Sequence, residues 1–197
     1  MTDWTTLRYA VVDVEGNGQQ PPDLVELAVV PIVGGEIQAP TSWLVKPAHP
    51  ITHFASRIHG ITTQDVADAP AFEAISDEVR ASLDAPVLIA HNAHVDTSVL
   101  KRQLSAWDVP EVFDTLKLAK RLLPNQPVYK LGMLVRALKL DEGLPGGLTP
   151  HRAAYDALVT ARLFIRLVTM SENTPLTLEE LRGDLPKGNG HEASSLF

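Results

Sequence analysis

Asp13 and Glu15 close the run Tyr9-Ala-Val-Val-Asp-Val-Glu-Gly16, which is dense in β-branched and aromatic residues and stops at a glycine. Such a run is a buried strand. Side chains alternate across a strand, so the two carboxylates share one face while Val12 and Val14 fill the other. Side by side at the end of a buried strand they repel, and each is costly to desolvate. Protonation, a basic partner or a divalent cation relieves that cost. No Lys or Arg lies within the run, which favours cations. An Asp-x-Glu pair alone is a weak signal, and two solvated carboxylates at an ordinary strand end explain it equally well.

Two further acids sit in comparable settings. In Leu88-Ile-Ala-His-Asn-Ala-His-Val-Asp96 a buried strand gives way to a helix. Asn92 is the expected N-cap there, and Asp96 falls in a first turn, where the helix dipole favours a carboxylate. In Thr149-Pro-His-Arg-Ala-Ala-Tyr-Asp156 a helix opening at Pro150 carries Asp156 near its second turn. His151 lies five residues earlier. At 3.6 residues per turn, that offset separates the two side chains around the axis, so His151 reaches toward a site from the helix entrance.

The elements that must position these groups follow from periodicity. Leu24 to Ile32 forms a second strand, and Gly34-Gly35 turns the chain into a third that reaches Val45. An irregular helical stretch runs from Thr52 to Ala67. Apolar residues at helical spacing mark helices over Ala71 to Leu83, His94 to Trp107, Thr115 to Leu123, Leu131 to Leu138 and Arg152 to Met170. Pro86 to Ala90 and Glu111 to Asp114 are short strands, and Asp114 is the expected N-cap of the helix after it. Strands first, then strands alternating with helices, describe an α/β layer with a mixed sheet. Residues 1–170 read as one domain, and 171–197 as a short helix begun by a Thr177-Leu-Glu-Glu180 capping box and followed by a polar tail.

Composition narrows the functional classes. The 197 residues are 45% hydrophobic, enough for one well-filled core, and no apolar run reaches membrane-spanning length. Without a secretory signal the default compartment is cytoplasmic. The chain has no cysteine, which removes disulfides and thiolate metal sites. Seventeen basic against 24 acidic residues, a net −7, argue against gripping nucleic acid by bulk charge. Touching a few phosphates through metal ions stays compatible with it.

Asp13, Glu15, Asp96 and Asp156, with His151, have the order and local settings of the DEDD superfamily of 3′-to-5′ exonucleases, which the chain resembles over about residues 8–168. Asp13-Val-Glu15 resembles the first motif, His91-Asn-Ala-His-Val-Asp96 the second, and His151-Arg-Ala-Ala-Tyr-Asp156 the third. Ile58-His-Gly-Ile-Thr62 and Asp114-Thr-Leu-Lys-Leu-Ala119 resemble the segments between them. The histidine five residues before the last aspartate marks the His subclass, DEDDh; the tyrosine subclass would carry Tyr where Arg152 stands. The tract from Val45-Lys-Pro to His59-Gly and the Pro-Gly-Gly-Leu-Thr-Pro approach to His151 look most similar to bacterial exonuclease X-like proteins, alongside polymerase III proofreading subunits.

The resemblance implies a ribonuclease H-like three-layer fold with a central mixed five-stranded sheet flanked by helices. It implies two divalent cations, Mg²⁺ or Mn²⁺, balancing the four acids and clamping the attacking and leaving oxygens of an in-line displacement. Asp13 then bridges both ions, Glu15 and Asp156 complete the one nearer the nucleophile, and Asp96 holds the other. His151 is the general base, an imidazole being a side chain that can take a proton near neutral pH. Gly16, Asn17, His59, Asn92 and Val95 are the candidate substrate contacts. Val95 stands where relatives often place an aromatic, and the amides of Gly16 and Asn17 would approach the terminal nucleotide. The implied substrate is the 3′ end of nucleic acid, single-stranded DNA first and RNA second, with a nucleoside 5′-monophosphate released. No membrane is involved, and a homodimer or a polymerase subunit is the candidate protein partner. Two other readings remain: an oligoribonuclease-like phosphodiesterase for short RNA or nucleotides, and a noncatalytic or proofreading module of a DNA polymerase.

Overall fold

A computed structural model of the chain describes residues 3–170 and 175–182. β1 (Tyr9–Gly16) lies at the centre of the sheet. On one side it pairs antiparallel with β2 (Leu24–Val33), which also carries β3 (Glu36–Ile37) and β4 (Thr41–Leu44). On the other side it pairs parallel with β5 (Val87–Ala90), and β5 with β6 (Glu111–Asp114). Among the described residues the mixed sheet has five strands along one path, β3-β2-β1-β5-β6, with β4 as a further partner of β2. The predicted third strand is broken at Ala39-Pro40, where proline cannot donate to the ladder, and its halves pair with β2 as β3 and β4.

A short 3-10 helix (Trp4–Thr6) and α1 (His53–His59), α2 (Phe72–Ser82), α3 (His94–Gln103), α4 (Thr115–Leu122), α5 (Leu131–Leu138), α6 (Ala153–Val168) and α7 (Leu178–Arg182) complete the described elements. The irregular stretch resolves into α1, capped by the Thr52 hydroxyl and closed by Gly60 at φ 76°, then a turn in which Asp65 and Thr62 bond each other. α3 stops four residues short of the expected Trp107. Thr177 and Glu180 form the expected capping box of α7. Leu178 and Leu181 of that helix pack into the main core, while the predicted tail from 183 to 197 lies outside the described residues.

The strand alternation sorts the core into two layers. Tyr9 and Val11, Ala28 to Ile32 at alternate positions, and Val87 and Ile89 face α4, α5 and α6. Ala10, Val12, Leu27, Val29, Leu88 and Ala90 face α2 and α3. Trp4 and Trp43 fill these layers. Asp13 and Glu15 continue the Tyr9-Val11 parity, so they emerge on the α6 side where the strand runs out of core. Glu26 continues the Ala28-Val30 parity and sits directly across the ladder from Glu15.

Candidate metal centre

α6 supplies the third carboxylate to that face. Oxygens of Asp13, Glu15 and Asp156 all lie within 4.8 Å of one another. α6 begins only at Ala153, so Asp156 occupies its first turn rather than its second. Its carboxylate turns back to accept the His151 amide at 3.1 Å. His151 is exposed just outside the helix with a left-handed φ of 61°, a conformation that is costly for a residue with a Cβ and held here by that hydrogen bond.

Asp96 arrives from the opposite layer. β5 pairs with β1 only as far as Val11, so the edge of β1 beyond it is uncovered. The buried Asp96 carboxylate enters that gap and accepts the Val14 amide at 3.2 Å. It stands beside the trio rather than within it.

Glu26, which the sequence reading did not single out, organises the other border. Its buried carboxylate takes both arms of the Arg152 guanidinium at 3.0 and 2.6 Å and the Ala153 amide at 2.9 Å. One side chain thus caps α6 and pins the residue next to His151. The signal was present as a lone charge inside Leu24-Val-Glu-Leu-Ala-Val-Val30, where an unpaired carboxylate would be costly to bury.

Crowding sets the electrostatics. Burial, then Asp96, Asp156, Glu15 and Glu26, push Asp13 well above the usual carboxylate range. Burial and then Asp156 and Glu26 lift Glu15 to about 8, against the pull of Arg152. Burial raises Asp96 to about 7, opposed by its hydrogen bonds with backbone amides. Burial raises Asp156 to about 6, opposed by His151. The guanidinium of Arg152 is already engaged by Glu26, so it does not neutralise the cluster. Closely set, poorly solvated carboxylate oxygens are the donor set that suits a hard divalent cation, and those of Asp13, Glu15 and Asp156 fit such an ion.

The remaining candidate residues divide. The Asn17 amide donates to the Asp23 carbonyl, and its side-chain amide donates to Asp23 and to the His49 carbonyl. Asn17 has no donor left for a nucleotide, because it folds the β1–β2 loop around itself. Gly16 is glycine for a local reason: a Cβ there would stand 2.9 Å from that of Pro22. Its carbonyl accepts from His59 Nε2 at 3.3 Å, while His59 Nδ1 accepts the Ile61 amide. Burial lowers the His59 pKa, consistent with a neutral ring that joins α1 to the end of β1. Val95 is exposed beside Asp96 in the first turn of α3.

Asn92 is not the N-cap of α3. Ala93 holds that position, and Asn92 adopts φ 67° with its amide bonded to Asp114. Asp114 also accepts from Ala93 and Leu116, so one carboxylate from the end of β6 organises the starts of both α3 and α4. Distance in sequence hid the first of these duties. His91 braces the same junction, bonding the Thr115 hydroxyl and the Tyr129 carbonyl, each at 2.9 Å.

Residues 10–164 match a family model described as an exonuclease. The chain is 36% identical over 173 residues to Exodeoxyribonuclease 10 of Escherichia coli K12, covering 88% of this chain and 74% of that protein. It is 33% identical over 183 residues to the 3′-5′ exonuclease DinG of Bacillus subtilis, of which it spans only 19%. Among solved structures, exonuclease X in complex with 5′ overhanging duplex DNA superposes with a TM-score of 0.71 at 35% identity, covering 88% of this chain and 98% of that one.

Proposed function

The chain belongs to the exonuclease family, and on that premise we propose that it removes nucleotides from the 3′ end of DNA, with Asp13, Glu15, Asp96 and Asp156 as metal ligands and His151 as general base. The observation that carries the reading is the convergence of Asp13, Glu15 and Asp156, with their oxygens within 4.8 Å of one another. Asp96 lies alongside on the uncovered edge of β1. A pair of Mg²⁺ or Mn²⁺ ions held by these acids would supply the positive charge that an in-line phosphodiester displacement requires.

The chain's own residues do the rest. Asp156 fixes the backbone of His151 through its amide, and Glu26 fixes the next residue through Arg152. The exposed imidazole is thereby presented at the rim of the acid cluster rather than inside it. Neutral His151 takes one proton from the attacking water; the new P–O bond forms as the bond to the 3′ oxygen breaks. That oxygen takes a proton from solvent and leaves as the 3′ hydroxyl of the shortened strand, and a nucleoside 5′-monophosphate departs. Val95 and the α1 segment around His59 border the cluster and would flank the terminal nucleotide, with His59 acting by holding Gly16 rather than by titrating. Asn92 would shape this border through its backbone.

Exodeoxyribonuclease 10 by its name, and exonuclease X by its complex, act on or bind DNA, which supports DNA over RNA here. The catalytic unit is assigned to residues 1–170, with α7 as a cover on its core. The test is a single strand carrying label at its 5′ end in one sample and its 3′ end in another. In Mg²⁺ the 3′ label should leave at once as mononucleotide while the 5′-labelled strand shortens stepwise. Internal fragments at the earliest times, or equal release in excess EDTA, would defeat the proposal.

A further inference from the structure

A cleft of about 1170 Å³ opens between α3, the outer edge of β6, α4 and α7, and Asn92, Ala93 and His94, the turn that leads into Asp96, are part of its lining. β6 is the terminal strand of the sheet, so its outer edge is the floor. His94, Thr97 and Lys101 line one wall at helical spacing, and Asp96, between them in sequence, faces the acid cluster. Lys117 and Lys120 of α4 line the other wall. The cleft's two carboxylates are already satisfied: Glu111 by both arms of Arg182 at 2.7 and 2.9 Å, and Asp114 by three amides. Lys101, Lys117 and Lys120 are exposed, and among the described residues none of them pairs with a carboxylate. On a chain of net charge −7, three uncompensated ammonium groups around one groove are a local inversion of sign.

We propose that this cleft binds the strand of nucleic acid behind its 3′-terminal nucleotide, the lysines of α3 and α4 taking successive phosphates. The inference rests on the exonuclease reading, because the acid cluster sets where the strand's end must lie. Charge complementarity identifies the occupant, a polyanion, and the place of Asn92, Ala93 and His94 in the lining, just before Asp96 in sequence, points to the strand whose end the acids hold. From His94 to Lys101 the α3 axis advances about 10 Å, enough to follow more than one nucleotide. The lining supplies Val112 from β6 and Leu116 from α4 but no exposed aromatic, since Phe113 is buried, so bases there meet apolar contact without stacking. Recognition is therefore of the backbone and carries little sequence preference.

The experiment uses the full chain and the triple variant K101A/K117A/K120A, whose exposed positions leave the melting temperature unchanged. Hydrolysis is followed on a single strand of about 20 nucleotides and on a dinucleotide across a salt series. For the long strand, kcat/KM should fall by about tenfold or more, mainly through KM, and the log–log salt slope should flatten by about 2, near 0.7 per lost phosphate contact. The dinucleotide, too short to enter the cleft, should be hydrolysed as before, and K101R/K117R/K120R should restore the long strand. Equal loss on both substrates, or no change on the long one, would overturn the proposal. If the parent chain hydrolyses neither substrate, the exonuclease reading is what fails. Fluorescence anisotropy of a labelled strand in EDTA then decides the cleft alone: weaker binding by the alanine variant sustains it, and equal binding removes it.

Discussion

Substituting Glu26→Gln should separate the positioning of α6 from the chemistry beside it. The wild-type carboxylate makes two hydrogen bonds to Arg152, at 3.0 and 2.6 Å, and one to the Ala153 amide at 2.9 Å. Glutamine has the same shape and can keep the amide bond and one arm of Arg152, but it removes the charge from all three. Breaking a fully buried pair costs roughly 3–5 kcal/mol. Here the Arg152 side chain is 39% exposed and water can receive it, so the smaller figure for charge-assisted hydrogen bonds applies, about 2 kcal/mol. For a chain of this size that is a fall in Tm of roughly 4–8 °C. A second effect opposes it. Glu26 helps to raise Glu15, so removing its charge relieves repulsion wherever the cluster is ionised. The loss in the metal-free protein should therefore be larger at pH 5.5 than at pH 8.5. Denaturant melts at both pH values, alongside kcat and KM, make the measurement; kcat should fall with KM little changed, because Arg152 no longer fixes the neighbour of His151. A loss independent of pH, or a variant as active and stable as the parent, would refute the reasoning.

Three other outcomes follow from the same geometry. Glu15, Asp96 and Asp156 are raised to about 8, 7 and 6 from ordinary values of 4.5, 3.8 and 3.8, so the folded chain holds protons that the unfolded one releases. That contribution is complete below about pH 4 and is lost as pH rises through 8, on the order of a few kcal/mol, so the Tm in EDTA should fall across this range and saturating Mg²⁺ should flatten the fall. His151→Ala should lower kcat by about a hundredfold or more while Mn²⁺ affinity, read by calorimetry, stays within about twofold. Asp114→Ala removes an acceptor shared by three amides and should cost about 2–3 kcal/mol in denaturant melts, more than removing an ordinary helix cap.

The chemistry was more legible in the sequence than the framework that aims it. Asp13 and Glu15 announced a shared face because a strand's period is two, and the parity they continue is the one that packs on α6. Asp156 and His151 are readable as a pair, but Pro150 resembles a helix start and so predicts the first turn of α6 too early. The helix waits until Ala153, whose amide is capped by Glu26 from another strand. Asn92 misled for the same reason: its carboxylate partner, Asp114, is 22 residues away. Local propensity cannot see a cap supplied by a neighbouring strand. Asn17 looked like a ligand contact because it follows the carboxylates, yet its donors fold its own loop. Pro40 split a strand that the hydrophobic pattern had left whole.

The most direct measurement counts manganese. Titration of the metal-free chain, followed by calorimetry or by the loss of the free Mn²⁺ paramagnetic signal, should give two ions per chain, with protons released as the raised carboxylates ionise. Asp13→Asn should fold and melt at least as high as the parent in EDTA, since it removes a repelled charge, and should lose that binding together with hydrolysis. Unchanged Mn²⁺ binding in Asp13→Asn, or none in the parent, would contradict the assignment of these acids as the centre of the site.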